Sequence, residues 1–194
     1  EGKLIKWVYP KRGYPYVSVI FPGMVGVVTG INIHGVYIAL NAAGSDDFAR
    51  IGRPTSLMVV EALENAKTAK EATEILKSQQ SFIAEIFVVA APGEDLYVLE
   101  KSPEKFAINL WNKDQVVTNH FVNPLWDDDE INQKRKSELT TMTRYKRAKT
   151  LLTDKSAEMN PTEMLEILRD KFVGGKVRLA HRSAIDALIA SHSV

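Results

Sequence analysis

The order of strand-like and helix-like segments constrains this chain more than any single motif does. Short runs rich in β-branched and aromatic residues occupy residues 17–21, 24–29 and 36–40, and again 83–91, 96–100, 106–110 and 115–118. Between the two groups, residues 54–66 and 68–76 switch to helical spacing, and the pattern is helical again from Lys134 onward. Strands and helices that come in blocks, rather than in strict alternation, predict an α+β layered domain with antiparallel sheets and not a doubly wound parallel one. The breaks agree: Pro22-Gly23, residues 32–35 (NIHG) and residues 92–95 (PGED) all have turn chemistry. The early strand runs do not alternate cleanly between polar and apolar, which predicts a sheet covered on both faces. Thr68 with Glu71, and Asn160-Pro161 with Glu163, read as capping boxes that open helices, and Gly174-Gly175 is expected to close the last one.

Composition sets outer limits on function. The 194 residues, 45% apolar and 25% charged, can bury one sizeable core, so a single domain over residues 1–194 is expected. Lys plus Arg total 25 against 24 for Asp plus Glu, and a net charge of +1 gives no field to hold nucleic acid. No apolar run approaches the roughly 20 residues of a spanning helix, so no membrane span is expected. With no cysteine, these residues contain no disulfide and no thiol nucleophile. His34, His120, His181 and His192 are scattered without metal-ligand spacing, and no metal or cofactor is expected. Gly23, Gly26 and Gly30 match no phosphate-loop spacing and read as turn and close-packing glycines. The acids Asp127, Asp128, Asp129 and Glu130 precede a helix and read as charges at its N-terminus rather than calcium ligands.

Two features point to chemistry. Seven Lys or Arg residues lie between Lys134 and Lys149, and at 100° per residue Lys146, Arg147 and Lys149 fall away from the stripe of Tyr145, Ala148, Leu151 and Leu152. Those three are expected to be solvated. Arg144 stands at i, i+4 and i+7 with Ala148 and Leu151 and so emerges on the apolar side, where a guanidinium must be paired or hydrogen-bonded. A structural ion pair and an active-site arginine both fit that spacing. Asn32, Asn41 and Asn119 each sit where a strand ends or turns; an amide NH₂ held there can donate to an oxyanion, though Asn is also a turn former.

Four stretches resemble the cysteine amidases and acyltransferases of the N-terminal-nucleophile class, the penicillin acyltransferase group, with penicillin V acylase, bile-salt (choloylglycine) hydrolase and acid ceramidase as more distant relatives. They are residues 21–32 (FPGMVGVVTGIN) with 34–41 (HGVYIALN), the helical pair over 61–76, residues 117–121 (VTNHF), and residues 143–147 (TRYKR). The likeness runs from about Val17 to the end of the chain. It implies a four-layer αββα sandwich of antiparallel sheets, incomplete at both ends, with residues 191–194 opening a further strand. It also implies a linear amide hydrolase or acyltransferase in which an N-terminal cysteine attacks the carbonyl and its own α-amino group acts as base. Asn41 would be the oxyanion asparagine, Asn119 the asparagine that holds the nucleophile's amine and the tetrahedral intermediate, and Arg144 the active-site arginine; His120 and Phe121 would contact substrate. Since these residues hold no cysteine, the nucleophile would come from a segment or second polypeptide outside them. The partner is then a small-molecule amide or acyl substrate. The competing reading is a non-catalytic domain of the same fold that binds an acylated small molecule or a protein.

Overall fold

The computed structural model describes residues 2–112, 115–153 and 159–186, and the chain groups into two compact units. The first comprises Glu1–Lys113 with Phe121–Gln133, the second Asp114–His120 with Lys134–Val194.

The first unit is built on one seven-stranded sheet in sequence order, every pair antiparallel: β1 (Leu4–Val8), β2 (Tyr16–Ile20), β3 (Thr29–Asn32), β4 (Tyr37–Ala42), β5 (Glu85–Ala90), β6 (Leu96–Lys101) and β7 (Phe106–Trp111). Helices α1 (Thr55–Asn65) and α2 (Ala69–Ser78) lie over one face. Their Met58, Val59, Ala62, Leu63, Ala72 and Leu76 pack with Ile38, Phe87, Val89 and Leu99 into the core. Gly30 is close-packed there, because a Cβ would stand 2.8 Å from Leu63 Cδ1. Asn32 makes the turn expected of it, its Oδ1 accepting from His34 and Val36 N–H, and its amide donates to Leu63 and Ala66 carbonyls, tying the hairpin to the end of α1. Thr68 caps α2 as the sequence implies, accepting from Glu71 N–H.

Strand alternation assigns the other face. Register aligns Asn41, Ile86, Glu100 and Ala107 in one row across β4 to β7, pointing away from α1 and α2. Residues 121–129 cover that face toward β6 and β7, whereas over β1 to β3 Ile5, Trp7 and Ile31 are exposed among the described residues. Within this unit and among the described residues, cover on both faces is seen over β6 and β7. Of the four layers expected, this unit supplies one helical layer on one antiparallel sheet.

Three strand or helix expectations are corrected. Residues 24–28 are loop, because Gly26 takes φ +92° against Ser56, and Val27 N–H donates to the Ser56 carbonyl instead of to a strand. Residues 115–118 form no strand; Thr118 and the Asn119 N–H that follows it are engaged by a helix side chain. The last helix ends at Leu168, and Gly174-Gly175, both at positive φ, instead turn the hairpin between β8 (Phe172–Val173) and β9 (Lys176–Val177).

The second unit contains the end of α3 (Glu130–Glu138), α4 (Thr141–Thr153), α5 (Pro161–Leu168) and that hairpin. The Asn160–Glu163 capping box is closed in both directions. Residues 191–194 and His192, named above, lie outside the described residues.

Candidate functional site

Helix α4 presents Arg144 one turn after its start, and the apolar stripe of Tyr145, Ala148, Leu151 and Leu152 is half-buried as the spacing predicts. Arg144 is also half-buried, and its Nη2 donates to Asn119 Oδ1 at 2.8 Å. The partner is an amide oxygen, which meets the requirement that an inward guanidinium be paired or hydrogen-bonded. Burial lowers the pKa of Arg144, yet a guanidinium stays charged.

That bond fixes the sense of the amide. A guanidinium has only donors, so Asn119 must turn Oδ1 toward it and Nδ2 the other way. The backbone of Asn119 is held as well, its N–H donating to Thr141 Oγ1 at 2.9 Å. Asn119 is thus an oriented donor beside a permanent positive charge, the combination that stabilises an oxyanion.

His120 is buried at 3% exposure, its ring edge-on to Tyr145 and its Nδ1 facing the hydroxyls of Thr118 and Thr141. Burial, then the charges of Lys136 and Arg144, lower its pKa from 6.5 to about 4, so the ring is neutral at pH 7. Phe121 belongs to the first unit and is fully buried against Trp126. The burial of both side chains lends no support to the expectation that they touch substrate.

Asn41 stands half-buried near the end of β4, in the row with Ile86 and Glu100. At strand spacing, Glu100 is roughly 10 Å from it. The fully buried Glu100 carboxylate accepts from the N–H groups of Val122 and Asn123 at 2.8 and 2.9 Å, so the chain is anchored to β6 three residues after Asn119. The loop after Asn41 is anchored too. Asp47 Oδ2 accepts from Ser102 Oγ and Glu104 N–H at 2.6 and 2.9 Å, and Ser45 donates to Asp129.

Asp129 also accepts from Asn132 N–H at 2.7 Å, which bears out its place at a helix N-terminus. One charge assignment is corrected. Arg147 is not solvated but forms a two-pronged pair with Asp170, Nε–Oδ2 3.0 Å and Nη2–Oδ1 2.7 Å, because α5 and the residues after it stand beside that flank of α4.

Sequence reasoning missed Glu100, Asp47 and the threonines. Glu100 alone left a signal, a carboxylate ending an otherwise apolar strand run. Among the described residues no group of three or more metal-ligating side chains occurs, and no helix is long and apolar enough to cross a membrane.

The profile of the family described as acyl-coenzyme A:6-aminopenicillanic acid acyl-transferase matches residues 5–181. The chain belongs to this family. No curated protein matches the sequence itself. Among solved structures, an N-acylethanolamine-hydrolyzing acid amidase ortholog from Caenorhabditis elegans superposes with a TM-score of 0.61 at 20% identity, over 86% of this chain and 72% of that one. Penicillin V acylase from Agrobacterium tumefaciens gives 0.54 at 18% identity, over 78% of this chain and 52% of its own. A mutant conjugated bile acid hydrolase from Clostridium perfringens gives 0.53 at 15%, over 80% and 63%. The fold is that of the N-terminal-nucleophile hydrolases. The chain spans about half of the penicillin V acylase and under two thirds of the bile acid hydrolase.

Proposed function

We propose that these 194 residues are most of one catalytic domain that hydrolyses, or transfers the acyl group of, a small linear amide through a cysteine thioester. The cysteine is supplied by a segment or second polypeptide outside them. One observation carries this reading: the Arg144 to Asn119 hydrogen bond, which aims an amide NH₂ from beside a fixed charge.

The thiolate attacks the amide carbonyl carbon, and the displaced electron pair makes an oxyanion that accepts from Asn119 Nδ2–H. The adduct collapses, the C–N bond breaks, the amine leaves with a proton, and a thioester remains. Water then releases a carboxylic acid, or a second amine takes the acyl group, and the thiol is restored. Asn41 keeps the donor role that the resemblance gives it. The reaction requires no cofactor and no nucleic acid. The three similar structures are named for N-acylethanolamines, penicillin V and conjugated bile acids, which supports an acyl group joined to a small amine as the substrate class.

The test is kinetic, on protein expressed from the complete gene. Replacing Asn119 by Ala lowers turnover of an acyl amide by on the order of 10²- to 10³-fold. An unchanged rate removes Asn119 from the mechanism. The competing, non-catalytic reading is favoured by the lack of any cysteine in these residues, and it prevails if the complete gene product also lacks one.

A further inference from the structure

The unit that carries Asn119 holds a buried cluster that the chemistry above does not use. Thr118 Oγ1, His120 Nδ1 and Thr141 Oγ1 form a triangle with sides of 3.0, 2.9 and 2.9 Å, and all three side chains are buried. A fourth bond enters at one corner, from Asn119 N–H to Thr141 Oγ1.

Proton bookkeeping gives the triangle a direction. A backbone N–H can only donate, so Thr141 Oγ1 accepts from Asn119, and its own proton goes to Thr118 Oγ1. The Thr118 proton then has His120 Nδ1 as its acceptor. That requires a neutral imidazole carrying its proton on Nε2. A proton on Nδ1 would point at Thr141 and leave the Thr118 hydroxyl without an acceptor inside the triangle. An imidazolium would do the same and add a third cation beside Lys136 and Arg144. Asn119 is then held by Thr141 at its N–H and by Arg144 at its Oδ1.

We infer that His120, Thr118 and Thr141 are positioning residues, in which His120 serves as a neutral hydrogen-bond acceptor that sets the Thr141 hydroxyl under the backbone of Asn119. His120 neither shuttles a proton nor contacts substrate. The inference rests on the proposed amide chemistry only where it concerns turnover, and its geometry stands without it.

Two readouts separate the two claims. The first is ¹⁵N NMR of wild-type full-length protein, in which His120 is expected as the Nε2–H tautomer from pH 7.5 down to about pH 5. An Nδ1–H tautomer or an imidazolium at pH 7 overturns the inference, and no variant needs to fold for that result. The second compares Thr141→Ser with Thr141→Val. Val costs the Asn119 amide at least about tenfold in protection from hydrogen exchange and lowers kcat by roughly 10- to 100-fold with KM within about twofold, while Ser restores both to within about threefold. If Val leaves exchange at Asn119 unchanged, or Ser fails to restore it, the positioning role is wrong. If wild-type protein turns over no amide at all, the functional reading fails, while tautomer and exchange still decide the positioning role.

Discussion

Acidification is expected to weaken this fold through His120, by an amount that follows from its surroundings. Burial, with Lys136 and Arg144 nearby, lowers its pKa from 6.5 to about 4. Between those values the unfolded chain carries a proton on His120 and the folded chain does not. The contribution of the neutral ring is therefore complete above pH 6.5, falls as the pH drops through that window, and levels off below about 4. At about 1.4 kcal/mol per pH unit the whole span corresponds to roughly 3 kcal/mol, and stopping at pH 4.5 captures a little over 2. The assay is urea denaturation of full-length protein at pH 7, 6, 5 and 4.5, for wild type and His120→Asn. Every other group is common to both proteins and cancels in the comparison. Wild type should lose about 2 kcal/mol more than the variant between pH 7 and 4.5. Parallel losses, within about 0.5 kcal/mol, would refute the reasoning, since His120 would then not be a buried neutral ring.

Two other outcomes follow from contacts within the first unit. Glu100→Ala leaves the part-buried N–H groups of Val122 and Asn123 without their charged acceptor and should cost on the order of 2 kcal/mol in urea denaturation, while Glu100→Gln, which keeps one acceptor oxygen, should cost about half as much. Gly26→Ala forces a side chain into φ +92° with its Cβ 2.8 Å from the Ser56 backbone carbon, and should lower stability by about 2 kcal/mol or more; a loss under about 0.5 kcal/mol would mean that the loop relaxes.

Much of the layered fold was legible because its signals are local. The helices over residues 55–65 and 69–78 announce themselves by spacing and a capping residue, and the hairpin turns by Asn, Pro and Gly. Arg144 was legible as an inward cation from its i, i+4, i+7 partners alone. What could not be read was decided by distant partners. Residues 24–28 have strand composition, but the Val27 N–H donates to the Ser56 carbonyl at the start of α1, and residues 115–118 precede a backbone held by a threonine some two dozen positions later. Arg147 looked solvated because helical periodicity knows nothing of Asp170. The site divides in the same way: Asn119 and Arg144 were recognisable by type and position, while Thr118 and Thr141 have no motif, since they matter only once remote segments meet.

In the proposed reaction Asn119 and Arg144 serve a cysteine thioester. The direct measurement is peptide-mapped mass spectrometry of the complete gene product, quenched during turnover of a simple acyl amide. One acyl adduct is expected, on a cysteine outside these 194 residues, forming far more slowly in Asn119→Ala. Turnover with the acyl group on any other residue, or a complete product that contains no cysteine, would contradict it.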